Sequence, residues 1–314
     1  MSVDVLITGA AGFVGRALLD RLRSQGRNVA GCDLRGDEHR LDVTRDADVL
    51  ALLERLRPKR VVHAAALVDD RVPRAQMVAV NVGGTEAMTR AAAQVGVKRF
   101  VHVSSIAALG YAPRSPADEH SPLQPGTGGA YFDSKAISER NVRALRGAME
   151  VVVVRPGDVF GPGSEPWVTR PVAMMRTGQP VLIGDGRGLI AHTWIDNLVD
   201  GLELALDHPG AAGQVLTITD GVHDTTYRDY FARLARAANV ALPPWSLPVG
   251  LALKAARLGE VAGRFLGRPP SLTEGAIRYV TRRSTYSIEA ATRLGWSPQI
   301  GLTDAMDQLR RALA

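Results

Sequence analysis

Three glycines spaced three apart, Gly9, Gly12 and Gly15 in the stretch TGAAGFVG, close a short apolar run and open a segment of helical period. No other feature narrows the fold so far. A turn this tight between strand and helix needs the first glycine, backbone can approach a bulky anion only where the second has no side chain, and the third lets helix and strand pack closely. Free N–H groups at the helix start then face a pyrophosphate. The spacing is one residue longer than the usual dinucleotide fingerprint, and an ordinary glycine turn is the other reading.

The surrounding pattern supports the first reading. Apolar runs at Val3–Thr8, Val29–Asp33, Val61–Ala66, Phe100–Ser104 and Val151–Arg155 alternate with helical periods at Gly15–Gln25, Asp46–Leu56, Met77–Val95 and Tyr131–Arg146. That alternation predicts an α/β chain, a doubly wound parallel sheet of the Rossmann type with its ligand crevice beyond the strands' carboxyl ends. After Arg155 prolines and glycines break the rhythm, which predicts a smaller C-terminal substrate lobe. The expected division is 1–160 for the nucleotide half and 161–314 for the lobe, with segments near 190–220 returning to the first half. A strand is expected at Gln214–Thr219 and helices at Asn197–Leu206, Tyr227–Ala238, Val249–Leu266 and Leu302–Leu313.

Composition removes several classes. Hydrophobic residues at 46% against 22% charged describe a chain folded throughout. The net charge of +6 is scattered, with no basic tail or stripe over the first half, so no nucleic-acid partner is expected. The single cysteine, Cys32, allows neither an internal disulfide nor a thiolate metal site, and the histidines lack metal-ligand spacing; no catalytic metal and a cytoplasmic location are expected. No apolar run spans a bilayer and peripheral membrane contact is not expected.

Asp33 ends the second predicted strand, where a carboxylate can accept both ribose hydroxyls and repel a 2′-phosphate, which favours NAD; a solvated strand-end carboxylate is the alternative. Arg35, two residues on, could attract that phosphate and keeps NADP open. Tyr131 and Lys135 are four apart and share a helix face. A phenol is a poor base at neutral pH, but a neighbouring ammonium favours its ionised form, so the two make a proton relay. Taken alone, the pair also reads as a surface phenol beside a solvated amine.

These residues, taken in order, resemble the extended short-chain dehydrogenase/reductase superfamily of the epimerase/dehydratase type. GAAGFVG with Phe13 and Val14, Asp33, Leu41-Asp42-Val43, HAAA ending in Ala64, Ala65 and Ala66, NVGGT opening on Asn81, VSS, YFDSK, and RPGDVFGPG with Pro156 all match. The resemblance implies a cofactor site built from those residues with Lys135 on the nicotinamide ribose, and a homodimer. It also implies Ser105, in preference to Ser104, as the hydroxyl that positions the substrate oxygen.

The branch is read from departures. Ile190 stands where sugar-nucleotide epimerases and dehydratases of this superfamily carry a phosphate-gripping arginine, Arg187 is three residues out of register, and Asp158 replaces their asparagine. The segment Pro269–Pro298 resembles the 3β-hydroxysteroid dehydrogenase branch, which implies a dehydrogenase or ketoreductase acting on an apolar small molecule; the sugar-nucleotide enzyme is the alternative. Tyr111, Asp158 and His192 are candidate substrate contacts by position, while His102 reads as a satisfied interior imidazole. Leu251, Leu258, Ala262 and Phe265 share one helix face beside Lys254, Arg257, Arg264 and Arg268. Core packing is the expected reading, ahead of a lid over substrate and an interfacial membrane helix.

Overall fold

Six parallel strands form the sheet, in the order β2-β1-β3-β4-β5-β8, in a computed structural model that describes residues 3–36, 38–69, 72–145, 147, 149–266 and 272–314. The strands are β1 (Val5–Thr8), β2 (Val29–Cys32), β3 (Arg60–His63), β4 (Arg99–Val103), β5 (Glu150–Pro156) and β8 (Val215–Ile218). A separate parallel pair joins β6 (Asp158–Phe160) to β7 (His192–Trp194).

Strand side chains alternate between two cores, as a period of two requires. Val5 and Ile7 of β1 face Leu18 and Leu22 of α1 (Phe13–Ser24), and Leu198 and Leu202 of α7 (Ile195–Asp207) complete that layer. Leu6 faces the other way, toward Val49 and Leu53 of α2 (Asp46–Leu56) and Met88 of α4 (Thr85–Val95). Arg21 fastens α1 to α7 through Asp196 and Asp200, at 3.1 and 2.7 Å.

The helix expected at Met77–Val95 begins earlier and is not uniform. α3 (Arg74–Val78) runs into a π turn at Ala79–Gly84 before α4. A Cβ on Gly84 would come within 2.6 Å of Val43, so the turn is packed close against the segment after β2. α5 (Ala130–Arg143) follows β4 and ends, with Ala144 as its C-cap, three residues before the expected Arg146, which itself lies outside the described residues.

Beyond β6 come α6 (Arg170–Arg176), α8 (Tyr227–Ala237), α9 (Val249–Leu266), α10 (Glu274–Val280), α11 (Glu289–Thr292) and α12 (Leu302–Leu313); α6, α8, α11 and α12 share the core of α1 and α7, while α9 and α10 close a small cluster of their own. Core packing fails for three residues of α9: Leu251, Leu258 and Ala262 are exposed, because the helix turns Ala252 and Ala256 inward instead. The side chains of Arg264 and Phe265, and residues Arg268 and Pro269, lie outside the described residues. No described helix is long and apolar enough to cross a membrane.

Candidate active site

Because the strands are parallel, the segments that leave their carboxyl ends gather along one edge of the sheet. Gly9–Gly15 leaves β1, Asp33 leaves β2, Ala64–Ala66 leaves β3, Ser104 and Ser105 leave β4, and Asp158 follows β5. Strand order reverses between β1 and β3, and the crevice opens there.

The glycines are required by contact. Gly9 has φ +73°, and a Cβ there would lie 2.7 Å from the Ala65 nitrogen. A Cβ on Gly15 would meet the Gly9 carbonyl oxygen at 2.2 Å. The Gly12 N–H closes the turn on that same oxygen at 2.9 Å. No side chain caps α1, so no capping oxygen occupies the first-turn N–H groups around Phe13, Val14 and Gly15, and the positive end of the helix dipole is left for an anion. The Asp33 carboxylate accepts from Ala11 N at 3.1 Å and Arg35 N at 3.0 Å, which holds it beside the glycine turn. Asp42 accepts from the amide and hydroxyl of Thr44, and those hydrogen bonds hold its carboxyl below the usual range. These residues fit a dinucleotide: a backbone cradle that any side chain would fill, an uncapped helix start and a carboxylate at the adenosine end.

Asn81 sits in the π turn and clamps the β3 loop. Its Oδ1 accepts from Leu67 N at 2.7 Å, while its Nδ2 donates to Leu67 O and to Ser134 Oγ, both at 2.9 Å. Ser134 in turn donates to the Tyr131 carbonyl at 2.8 Å. The amide thus couples the Ala64–Ala66 wall to the helix that carries Tyr131.

α5 brings the candidate chemistry to the same edge. Lys135 is buried; its Nζ donates to the Val103 carbonyl at 2.9 Å and lies 6.0 Å from the centre of the Tyr131 ring. Burial pulls this amine down to about 8, opposed by Glu139 one turn along. Ser105 accepts from Ala107 N at 3.1 Å, capping a short helical turn, whereas Ser104 donates to the Glu139 carboxylate at 2.7 Å and is an interior strand hydroxyl. Glu139 and Arg155 form a pair with neither side chain exposed, at 2.6 Å. Asp133, from the same YFDSK stretch, accepts from Gly126 N, Thr127 N and Arg74, so the loop entering α5 is pinned on both sides.

Beside Tyr131 the wall is aromatic. Phe132 stacks on Tyr111 at 4.1 Å between centroids, and Tyr279 approaches Phe132 edge-on at 5.5 Å. Gly129 makes room for this: a Cβ there would sit 2.2 Å from the Tyr111 hydroxyl.

Two candidate substrate residues have interior partners instead. Asp158 is buried and accepts from Arg282 at 2.6 Å, from the Tyr279 hydroxyl at 2.5 Å and from Ala191 N at 3.0 Å. Arg282 lies over the Tyr279 ring at 3.6 Å and donates to the Tyr227 hydroxyl; burial opposes its charge, and Asp158 together with the phenols of Tyr227, Tyr279 and Tyr286 outweighs the burial. His192 has Asp220 on Nδ1 at 2.8 Å and Thr225 on Nε2 at 3.2 Å, so neither ring nitrogen remains for a ligand. Their positions near the RP and IDN motifs suggested a pocket; a sequence does not reveal that a polar residue already has a buried partner. Tyr279 and Arg282 carried no signal that sets them apart. Ile190 is buried in the main core, and Arg187 is exposed. A shallow cleft of about 600 Å³ between α7 and α12 holds none of these residues.

Two histidines lie beneath Lys135. The Thr85 hydroxyl donates to the Asn81 carbonyl, so it accepts from His63 Nε2, and Thr8 donates to His63 Nδ1 at 2.8 Å. Burial, with a smaller push from Lys135, pulls His63 down to about 3, and the same causes hold His102 well below its ordinary value. The His102 ring is interior as expected but not satisfied: its Nδ1 has no partner. Both rings stay neutral in the fold and take up protons once the chain unfolds. The contribution of these two rings is therefore present above pH 6.5 and is lost as pH falls below it, by up to about 2.7 kcal/mol per pH unit for two protons. Urea midpoints between pH 6.5 and 5 check this; a slope below one proton's worth would exclude it.

A model of the NAD dependent epimerase/dehydratase family matches residues 5–218. UDP-glucose 4-epimerase of Vibrio cholerae is 32% identical over 79% of each chain. A 4-hydroxy-2-methyl-3-oxo-4-farnesyl-3,4-dihydroquinoline-1-oxide ketoreductase of Stigmatella aurantiaca is 29% identical, covering 98% of this chain and 95% of its own. The decarboxylating sterol-4-alpha-carboxylate 3-dehydrogenase erg26 of Schizosaccharomyces pombe is 29% identical over 99% and 96%. Among solved structures, UDP-glucose 4-epimerase of Thermotoga maritima with UDP-glucose superposes with a TM-score of 0.79 at 21% identity, covering 99% of this chain and 98% of that one.

Proposed function

The chain belongs to the NAD dependent epimerase/dehydratase family, and from that premise we propose that it moves hydride between NAD and a secondary alcohol or ketone of a mainly apolar small molecule. The observation that carries this reading is the wall beside Tyr131. It is built from the rings of Phe132, Tyr111 and Tyr279, and the two guanidiniums that lie over these rings already have carboxylate partners, Arg282 in buried Asp158 and Arg278, 6.0 Å from the Tyr111 ring centre, in Glu274. An apolar ketone loses nothing by desolvation against such a wall, whereas a nucleotide diphosphate needs a cation that is free to pair. The ketoreductase and sterol dehydrogenase relatives, which cover nearly the whole chain, support the same reading.

When bound, the nicotinamide supplies the site that accepts or donates hydride. Gly9, Gly12, Gly15 and the first turn of α1 would hold its phosphates, Asp33 its adenosine ribose and Lys135 its other ribose. Ser105 and Tyr131 hydrogen-bond the substrate oxygen, where negative charge develops as hydride arrives at the carbon. Tyr131 gives that oxygen its proton during reduction and takes the proton from the alcohol during oxidation. The Lys135 ammonium lowers the cost of the phenolate left behind. Asp33 repels a 2′-phosphate, which favours NAD over NADP.

The epimerase relative at 32% identity supports a second reading, a sugar-nucleotide isomerase in which hydride leaves and returns. The two are separated by incubating the protein with NAD(H) and a panel of bulky apolar ketones and alcohols, and in parallel with UDP- and dTDP-sugars. Net formation or loss of NADH on the apolar panel is expected. Interconversion of sugar nucleotides, with ketones untouched, overturns the proposal in favour of the second reading.

A further inference from the structure

Helix α9 is packed inside out. Its fully buried positions are small: Ala252 and Ala256 meet Ile277 of α10, with Leu253 partly buried beside them. Its outward positions are large: Leu251 is 56% and Leu258 72% exposed. Ala255 and Ala262 are exposed as well, and at about 100° per residue these four make one stripe along the helix. Trp245, 53% exposed, precedes the helix by four residues. Of the eight large hydrophobic residues exposed among the described residues, four thus fall between positions 245 and 258, a concentration that scattered surface leucines do not produce. A helix whose only task was to close the lobe would bury its leucines.

Charge indicates what covers the stripe. The helix carries Lys254, Arg257 and Arg264 against Glu260 alone. Lys254 is exposed beside the leucines, and Arg257, also exposed, shares Glu274 with Arg278. A second copy meeting this face about a twofold axis would put two exposed Lys254 ammoniums into one apolar patch. An anionic lipid surface has the opposite sign and accepts leucine and tryptophan at its acyl boundary while the amines stay among the headgroups.

We propose that the α9 face docks this protein on an anionic membrane surface. Docking would bring the substrate lobe to where an apolar substrate is dissolved; that last clause rests on the function proposed above, and the docking itself does not.

The test is co-sedimentation of the full chain with vesicles of phosphatidylcholine alone or with a third of phosphatidylglycerol. Binding to the anionic vesicles and not the neutral ones is expected, with a blue shift of tryptophan emission that Trp245→Phe diminishes. The double variant Leu251→Glu, Leu258→Glu should bind at least about tenfold more weakly, with its Tm and its turnover of a small water-soluble ketone unchanged. Failure to bind anionic vesicles overturns the docking, as does binding that survives the double variant. A double variant that passes from dimer to monomer without lipid also overturns it, since a second copy then covers the face. Vesicle binding by a protein that turns over no apolar ketone overturns the function reading and leaves the docking standing.

Discussion

Turnover should fall by roughly a thousandfold when Tyr131 is replaced by phenylalanine, while NAD affinity and Tm stay near wild type. The ring that meets Phe132 edge-on at 6.2 Å is kept in this variant, and only the hydroxyl is removed. With no proton donor at the substrate oxygen, the alkoxide formed by hydride arrival has to take its proton from water, and positioned acid–base groups contribute about 10²- to 10⁴-fold. The loss belongs in kcat, because substrate binding by the aromatic wall does not need the proton. Single-turnover reduction followed at the NADH absorbance gives the step directly. A variant that keeps more than a tenth of the rate assigns the proton to another group and ends this mechanism.

Replacing Glu139 by alanine should have the largest effect on stability, about 3–5 kcal/mol, seen as a fall in Tm of roughly 5–8 °C. Arg155 has no exposed side-chain surface, and its Nε and a terminal nitrogen both donate to Glu139. Removing the carboxylate strands a cation in the interior. The same change frees the Ser104 hydroxyl and takes away the charge that opposes the effect of burial on Lys135. Adding Arg155→Met to the Glu139→Ala chain should recover most of the loss, since a buried pair replaced by apolar groups is often neutral. Urea unfolding of the four chains of this cycle is the measurement. A single-variant loss under about 1 kcal/mol would mean that water reaches the guanidinium.

The sheet was legible because the pattern behind it is physical and local. Each of the first five strands is a short, mostly apolar run with at least one valine that cannot be left exposed, and each meets its expected position to within a few residues. The glycine turn was legible for the same reason: only residues without a Cβ fit between Gly9, Ala65 and Gly15. What escaped depends on partners far away in the chain. The π turn at Ala79–Gly84 leaves no mark in composition, because one extra residue per turn changes no residue type. Asp158 is separated by 124 positions from the arginine that claims it, so a position just after the RP motif made it resemble a pocket residue. His192 failed alike, its partner Asp220 lying on the loop after β8. The outward leucines of α9 escaped because an amphipathic stripe states that one face is apolar and not which way that face turns.

The outermost strand also limits how this protein can be recombined. β8 joins the sheet beside β5 only after the chain has passed through β6, α6, β7 and α7, so its hydrogen bonds to Val153–Pro156 come from residues 215–218. A fragment ending near residue 160 would leave β5 with a bare edge, a template for aggregation. Grafting a relative's specificity elements onto this scaffold therefore takes two inserts, one between β5 and β8 and one after β8 that carries Tyr279 and Arg282, with β8 itself kept on the sheet.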